Sequence, residues 1–139
     1  MKNLHLREGS DEDLDLLADL NKQLHEDEKY DNKLDIAQLK QRMRDFIHTE
    51  YKSFLFEMPP RVIGYGLVDM TKDPLYLKHF FICRDDRLKG YGQHCFHKLL
   101  EKLNVDSIDI EVLAWNGRGI KFWKSLGFQE RSIGMRYSK

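Results

Sequence analysis

At 139 residues, 41% hydrophobic and 33% charged, with 9 Gly and 3 Pro, the chain can bury one core of ordinary size. That balance excludes wholesale disorder and collagen-like or low-complexity classes. No window approaches the ~18 uninterrupted apolar residues of a membrane span, and Met1–Arg7 lacks the apolar stretch of a secretory signal. Two cysteines, Cys83 and Cys95, cannot staple a small secreted domain and have no CxxC spacing. The expectation is a single cytoplasmic domain over 1–139, without membrane contact.

The net charge of zero hides a segregation. Residues 1–31 carry 4 Lys/Arg against 10 Asp/Glu, and the remaining 108 positions carry 19 against 13. A chain-wide basic field for nucleic acid is absent, so no nucleic-acid partner is expected.

Leu4 and Leu6 alternate with polar neighbours and predict a first strand. Ser10 with Asp13 resembles a capping box, and Leu14, Leu17, Leu20 and Leu24 follow at helical spacing. Lys29 to Lys33 reads as a polar loop. Asp35 is placed to cap a second helix with apolar Ile36, Leu39, Met43, Phe46 and Ile47. Residues 51–57 are strand-like, Pro59-Pro60 forces a turn, and 62–70 return as a strand. Leu75 to Cys83 is a third rich strand, in which alternation groups His79 with Leu77 and Phe81. Gly90 to Leu103 is helical, Ser107 to Leu113 alternates as a strand, and Asn116 to Leu126 is a short helix stopped by Gly127. Phe128 to Tyr137 closes the pattern as a strand. The order β-α-α-β-β-β-α-β-α-β predicts an α/β (α+β) fold with one mixed sheet.

Arg87-Leu88-Lys89-Gly90-Tyr91-Gly92 joins a strand to a helix. Backbone N–H groups at a helix start are unpaired, and the helix dipole favours an anion there. Glycine admits a phosphate close to the backbone, and Arg84, Arg87 and Lys89 add charge. Taken alone, the pattern fits a tight strand–helix turn with solvated bases equally well. Neither the P-loop GxxxxGK[ST] nor the dinucleotide fingerprint GxGxxG is present, because Cys95 stands where a third Gly would fall.

Arg87-x-x-Gly90-x-Gly92 behind Phe80-Phe81-Ile82 resembles the signature of the GNAT superfamily of acetyl-CoA-dependent N-acetyltransferases. Asn116 followed by Phe122-Trp123-Lys124-Ser125-Leu126-Gly127-Phe128 is similar to the family's second motif. Leu4-x-Leu6-Arg7 with Asp13 is similar to its opening, so the resemblance covers nearly the whole chain.

The resemblance implies a mostly antiparallel central sheet flanked by helices, and acetyl-CoA as co-substrate. It places the pyrophosphate on the amides of Leu88, Lys89, Gly90, Tyr91, Gly92 and Gln93, with Arg87 beside them. The pantetheine arm would run along the backbone of Phe81, Ile82 and Cys83, with an oxyanion-stabilising N–H near Ile82 and Asn116 holding the arm. A primary amine, on a small molecule or a peptide, would attack the thioester directly. The resemblance leaves a homodimer open.

Many relatives carry a Tyr general acid where this chain has Trp123, so Tyr91, Tyr137 or solvent is left for that role, or the thiolate leaves unassisted. His79 suits a general base near neutrality, with a rate expected to rise through roughly pH 6 to 7, or is a hydrogen-bonded histidine at the core edge. Glu111 is a second candidate base acting through water, or a solvated strand residue. Glu26-Asp27-Glu28 would favour a cationic amine, or form a solvated charge run. His94, Cys95 and His97 supply too few ligands for a closed zinc site, so no metal is expected, and burial is the better account of Cys95. The other reading of the whole chain is a coenzyme A-binding module without turnover.

Overall fold

A computed structural model describes residues 3–29 and 33–139. Most of the loop expected over Lys29 to Lys33 therefore lies outside the described residues. The first strand, β1 (His5–Glu8), leads through a 3-10 turn, Asp11–Asp13, into helix α1 (Leu14–Glu28). Asp13 organises this entry. Its carboxylate accepts from the Ser10 N–H at 2.8 Å and from both Arg7 Nη atoms at 2.9 and 3.0 Å.

Helix α2 (Ile36–Ile47) starts where expected. Gln38 N–H donates to Asp35 Oδ1 at 2.8 Å and the Gln38 side chain accepts from Asp35 N–H at 2.9 Å. Strands β2 (Tyr51–Met58), β3 (Arg61–Asp69) and β4 (Leu75–Ile82) follow as an antiparallel meander. Helix α3 (Tyr91–Leu103), strand β5 (Ile108–Ile110) and helix α4 (Gly117–Ser125) complete the order. The sheet order is β1-β2-β3-β4-β5, with β5 parallel to β4 and the other pairs antiparallel.

Alternation along the strands divides the core in two. Leu55, Tyr65, Leu67 and Phe81 meet Leu14, Leu17, Leu20, Leu24 and Met43 on the α1–α2 face. Phe54, Phe56, Val68 and Leu77 meet Cys95, Phe96 and Leu99 on the α3 face. No helix of the described residues is long and apolar enough to cross a membrane.

The predicted last strand, Phe128 to Tyr137, is not formed. Phe128 turns back to pack on Phe96 and Trp123, but residues 129–139 are exposed and carry no ladder. Ile133, Met135 and Tyr137 keep the strand spacing, yet a strand needs a partner edge for its hydrogen bonds, and no strand among the described residues pairs with this segment. The order among the described residues is thus β-α-α-β-β-β-α-β-α. The predicted fifth strand is also shorter, three residues instead of seven, because β4 and β5 pair only from Leu75↔Ile108 to Leu77↔Ile110.

Candidate active site

The divergence of β4 from β5 begins at a bulge. Leu67 pairs with His79 and Val68 with Leu77, so Lys78 is an extra residue in β4. The bulge breaks the alternation expected from sequence. Leu77 joins the α3-face core, whereas His79 packs with Tyr65 and Phe46 on the α1–α2 face. The Lys78 ammonium lies 5.7 Å from the centre of the same Phe46 ring, so two consecutive side chains reach one face.

Beyond the bulge the ladder fixes where the backbone points. Cys83 N–H donates to the Ile63 carbonyl at 2.8 Å, which makes that pair hydrogen-bonded. Antiparallel ladders alternate, so Phe81 with Tyr65 and His79 with Leu67 are also hydrogen-bonded pairs. Phe80 and Ile82 therefore turn their N–H and C=O groups to the opposite edge, into the cleft that β5 has left. Of the three backbones expected along the arm, Ile82 faces this cleft, while Phe81 and Cys83 are committed to β3. Phe80, quoted in the sequence only as part of the apolar strand end, joins Ile82.

The cleft runs into the start of α3. Gly90 caps the helix at φ +79, and a Cβ there would meet nothing within 4 Å, so the position needs glycine for its backbone and lies open. Tyr91, Gly92 and Gln93 form a first turn without a carboxylate, so their unpaired N–H groups carry the positive end of the dipole uncompensated. The residues present fit an anionic group here. Gly92 has a different reason from the one expected: a Cβ would stand 3.1 Å from the Phe122 ring, so it is small for packing. Leu88 is 96% exposed at φ +62, and Lys89 and Gln93 are exposed beside it. Tyr91 packs its ring against the α3-face core.

Two of the three expected bases are turned elsewhere. Arg87 Nε donates to the Ile82 carbonyl at 2.7 Å, its Nη2 pairs with Asp27, and its guanidinium covers the Phe81 ring at 5.0 Å. Arg84 donates to the same Asp27 at 2.8 and 3.0 Å. Burial opposes the Asp27 charge, but hydrogen bonds from Arg87 and Arg84 outweigh it and hold the carboxyl below its usual range. The middle carboxylate of the acidic run is thus neither solvated nor free for a substrate cation. On the other bank, Trp115 Nε1–H donates to the Glu28 carbonyl at 2.8 Å. The end of α1 therefore touches the segments that follow both β4 and β5.

His79 is 4% exposed, and its Nδ1 lies 3.1 Å from the Tyr65 hydroxyl. Burial, then the charges of Lys78, Arg42 and His25, push its pKa well below the ordinary imidazole value, so the ring is neutral near pH 7. Glu111 lies one residue past the end of β5 and is exposed. Tyr76, half-buried near Glu111, is pushed up to about 12 by burial and by that carboxylate. Tyr137 is 87% exposed. Asn116 caps α4, its Oδ1 accepting from Gly119 N–H at 2.9 Å. Trp123 belongs to an aromatic cluster with Phe80, Phe96, Phe122 and Phe128 at 4.9–5.6 Å between ring centres. Its ring is partly buried against the α3-face core. Cys95 is fully buried and its thiol is pushed up to about 12, as an inert core residue would be.

No protein-family model and no curated protein matches the chain. Solved structures do. A possible acetyltransferase from Clostridium difficile 630 is 18% identical, with a TM-score of 0.80 over 98% of this chain and 97% of its own. AAC(6')-Iy, in complex with a bisubstrate analog of CoA and acetylneamine, is 17% identical, with a TM-score of 0.75 over 98% and 97%. Spermidine N-acetyltransferase from Vibrio cholerae, in complex with CoA and spermine, is 18% identical, with a TM-score of 0.75 over 95% and 84%. The chain has the fold of these acetyltransferases, the α+β fold of the GNAT superfamily.

Proposed function

We propose that residues 1–139 act as one cytoplasmic N-acetyltransferase domain, moving the acetyl group of acetyl-CoA directly to a primary amine. One observation carries this reading: the main-chain groups of Phe80 and the Ile82 N–H turn into a cleft that ends at the uncompensated start of α3, the Ile82 carbonyl being taken by Arg87. Amide-bearing substrate can pair with that strand edge, and a pyrophosphate matches the helix start. The acetyltransferase fold and the relatives bound to CoA support the same co-substrate.

In the reaction the amine nitrogen attacks the thioester carbon, the C–S bond breaks, and the thiolate leaves. The amine proton passes to a base or to water and the thiolate takes up a proton, so atoms and charge balance without an enzyme-bound acetyl group. The Phe80 and Ile82 N–H groups are the oxyanion donors within this cleft. His79, neutral and in contact with Tyr65, is the candidate base although burial penalises its protonated form, with Glu111 the alternative through water. Asn116, as the cap of α4, stands as the second anchor for the arm.

The burial of Trp123 among aromatic rings favours one rival, a CoA-binding module without turnover, since no phenol stands at that place. Thiol release from acetyl-CoA across a panel of amines, with mass spectrometry of the products, separates the two. Amine-dependent release with an acetylated product supports the enzyme. Binding of acetyl-CoA without release on any amine supports the silent module.

A further inference from the structure

We infer that the acceptor amine carries a carboxylate, which Arg42 of α2 and Lys78 of the β4 bulge, both beside the Phe46 ring, receive. This deepens the proposed acetyl transfer and rests on it for the identity of the second substrate. The Arg42 guanidinium lies 5.3 Å and the Lys78 ammonium 5.7 Å from the centre of that one ring. Both side chains are half-buried. Neither has a carboxylate within ion-pair distance among the described residues, although ten other ion pairs are formed there.

Two half-buried like charges without a counter-ion destabilise a fold. Burial, followed by the Arg42 charge, lowers the Lys78 pKa. Local arrangements that cost stability are characteristic of functional sites. The carboxylates that do face this group are Asp69 and Glu111. Asp69 is engaged by the Thr71 N–H at 3.0 Å and hydroxyl at 2.6 Å, and Glu111 is solvent-exposed. His25 and His79 also face this group, each with its pKa lowered by burial and by the neighbouring cations, so both are neutral near pH 7.

The position suits an acceptor. Lys78 lies at the closed end of the cleft, two residues back along β4 from Phe80 and four from Ile82, about 13 Å at strand rise. The opposite face at this level is walled by Phe80, Phe96, Phe122 and Trp123, so polar acceptor groups have the α1–α2 face. Asp27, the carboxylate that would have selected a polyamine, is bound to Arg84 and Arg87. A salt bridge from the guanidinium, with the lysine as a second donor, would hold the carboxylate while the amine reaches the thioester.

The test compares acceptors that differ in one group: 4-aminobutyrate, 4-aminobutanamide, butylamine and putrescine, and L-lysine with L-lysinamide. Each carboxylate should exceed its neutral or dicationic counterpart by at least about tenfold in kcat/KM. Arg42→Gln and Lys78→Gln should each remove most of that preference through KM, bringing the ratio of carboxylate to amide in kcat/KM toward one. Equal or better use of the amides or of putrescine overturns the inference, as does a preference that survives both substitutions. If no amine is turned over, calorimetry with the same compounds decides it. Carboxylate binding weakened by either substitution supports the anion site, and absent or unaffected binding overturns it. A thermal-shift measurement with acetyl-CoA alone reads the acetyltransferase proposal separately.

Discussion

Asp27 and Arg87, 60 positions apart, share a carboxylate–guanidinium contact of 2.5 Å, and through it the end of α1 fixes the Ile82 carbonyl. The same Asp27 gathers Arg84, so the turn between β4 and α3 is tied to the opposite layer of the fold.

The Asp27 carboxyl titrates below its ordinary value in the folded chain, while the unfolded chain returns it to about 3.9. Its stabilisation is therefore complete above about pH 4 and is lost as pH falls through the folded value. Asp27→Asn should lower the unfolding free energy at pH 7 by about 1 kcal/mol, discounted for its partly exposed partners. In urea melts the difference between the two proteins should shrink toward pH 2. An unchanged gap would show that the pair does not titrate with folding.

Acetyl-CoA should raise the melting temperature, and S-acetylpantetheine, which lacks the pyrophosphate, should do so far less at equal concentration. The reason is the open, carboxylate-free start of α3 at Tyr91 to Gln93. Gly92→Asp should lose both this shift and some stability, because its Cβ presses on Phe122 while its charge faces the helix start. Gly92→Ala should show the packing cost without the charge. Equal shifts from the two ligands would place the phosphates elsewhere.

His79 makes two measurable claims. Its folded pKa is depressed from an unfolded value of about 6.5, so its contribution to stability is full above that pH and declines as pH falls below it. His79→Gln, which keeps a partner for the Tyr65 hydroxyl, should lose less stability than wild type between pH 7 and 5. As the base, a neutral His79 moves the acid limb of the rate below the pH 6 to 7 expected from sequence. His79→Ala should then cut turnover by about a hundredfold with acetyl-CoA affinity little changed. A larger effect from Glu111→Gln would transfer the role to that carboxylate.

Trp123→Tyr should destabilise the protein by about 1–3 kcal/mol and leave turnover no faster. The new hydroxyl would enter a cluster of Phe80, Phe96, Phe122 and Phe128 rings and lose solvent there. Thermal melts and thiol release read both quantities, and a gain in turnover would mean that the phenol reaches the thiolate.

Local chemistry made most of the elements legible in sequence. The Asp35 cap, the leucine spacing of α1 and the glycine turn before α3 act over a few residues, so short stretches specify them. The motif at Arg87 to Gly92 located the helix start for the same reason. Long-range pairing was not available to that kind of reading. The bulge at Lys78 arises from how β3 and β4 register, and it alone sends His79 and Lys78 to one face and opens Phe80 and Ile82 to the cleft. The partners of Asp27, of Trp123 and of the His79 ring come from segments distant in the chain, and among the described residues no edge is left to pair with Phe128 to Tyr137. Sequence spacing sets which residues can form a helix or strand, because those hydrogen bonds and side-chain periods are local. Which groups are left unpaired in the cleft depends on distant segments meeting, and only the tertiary structure decides that.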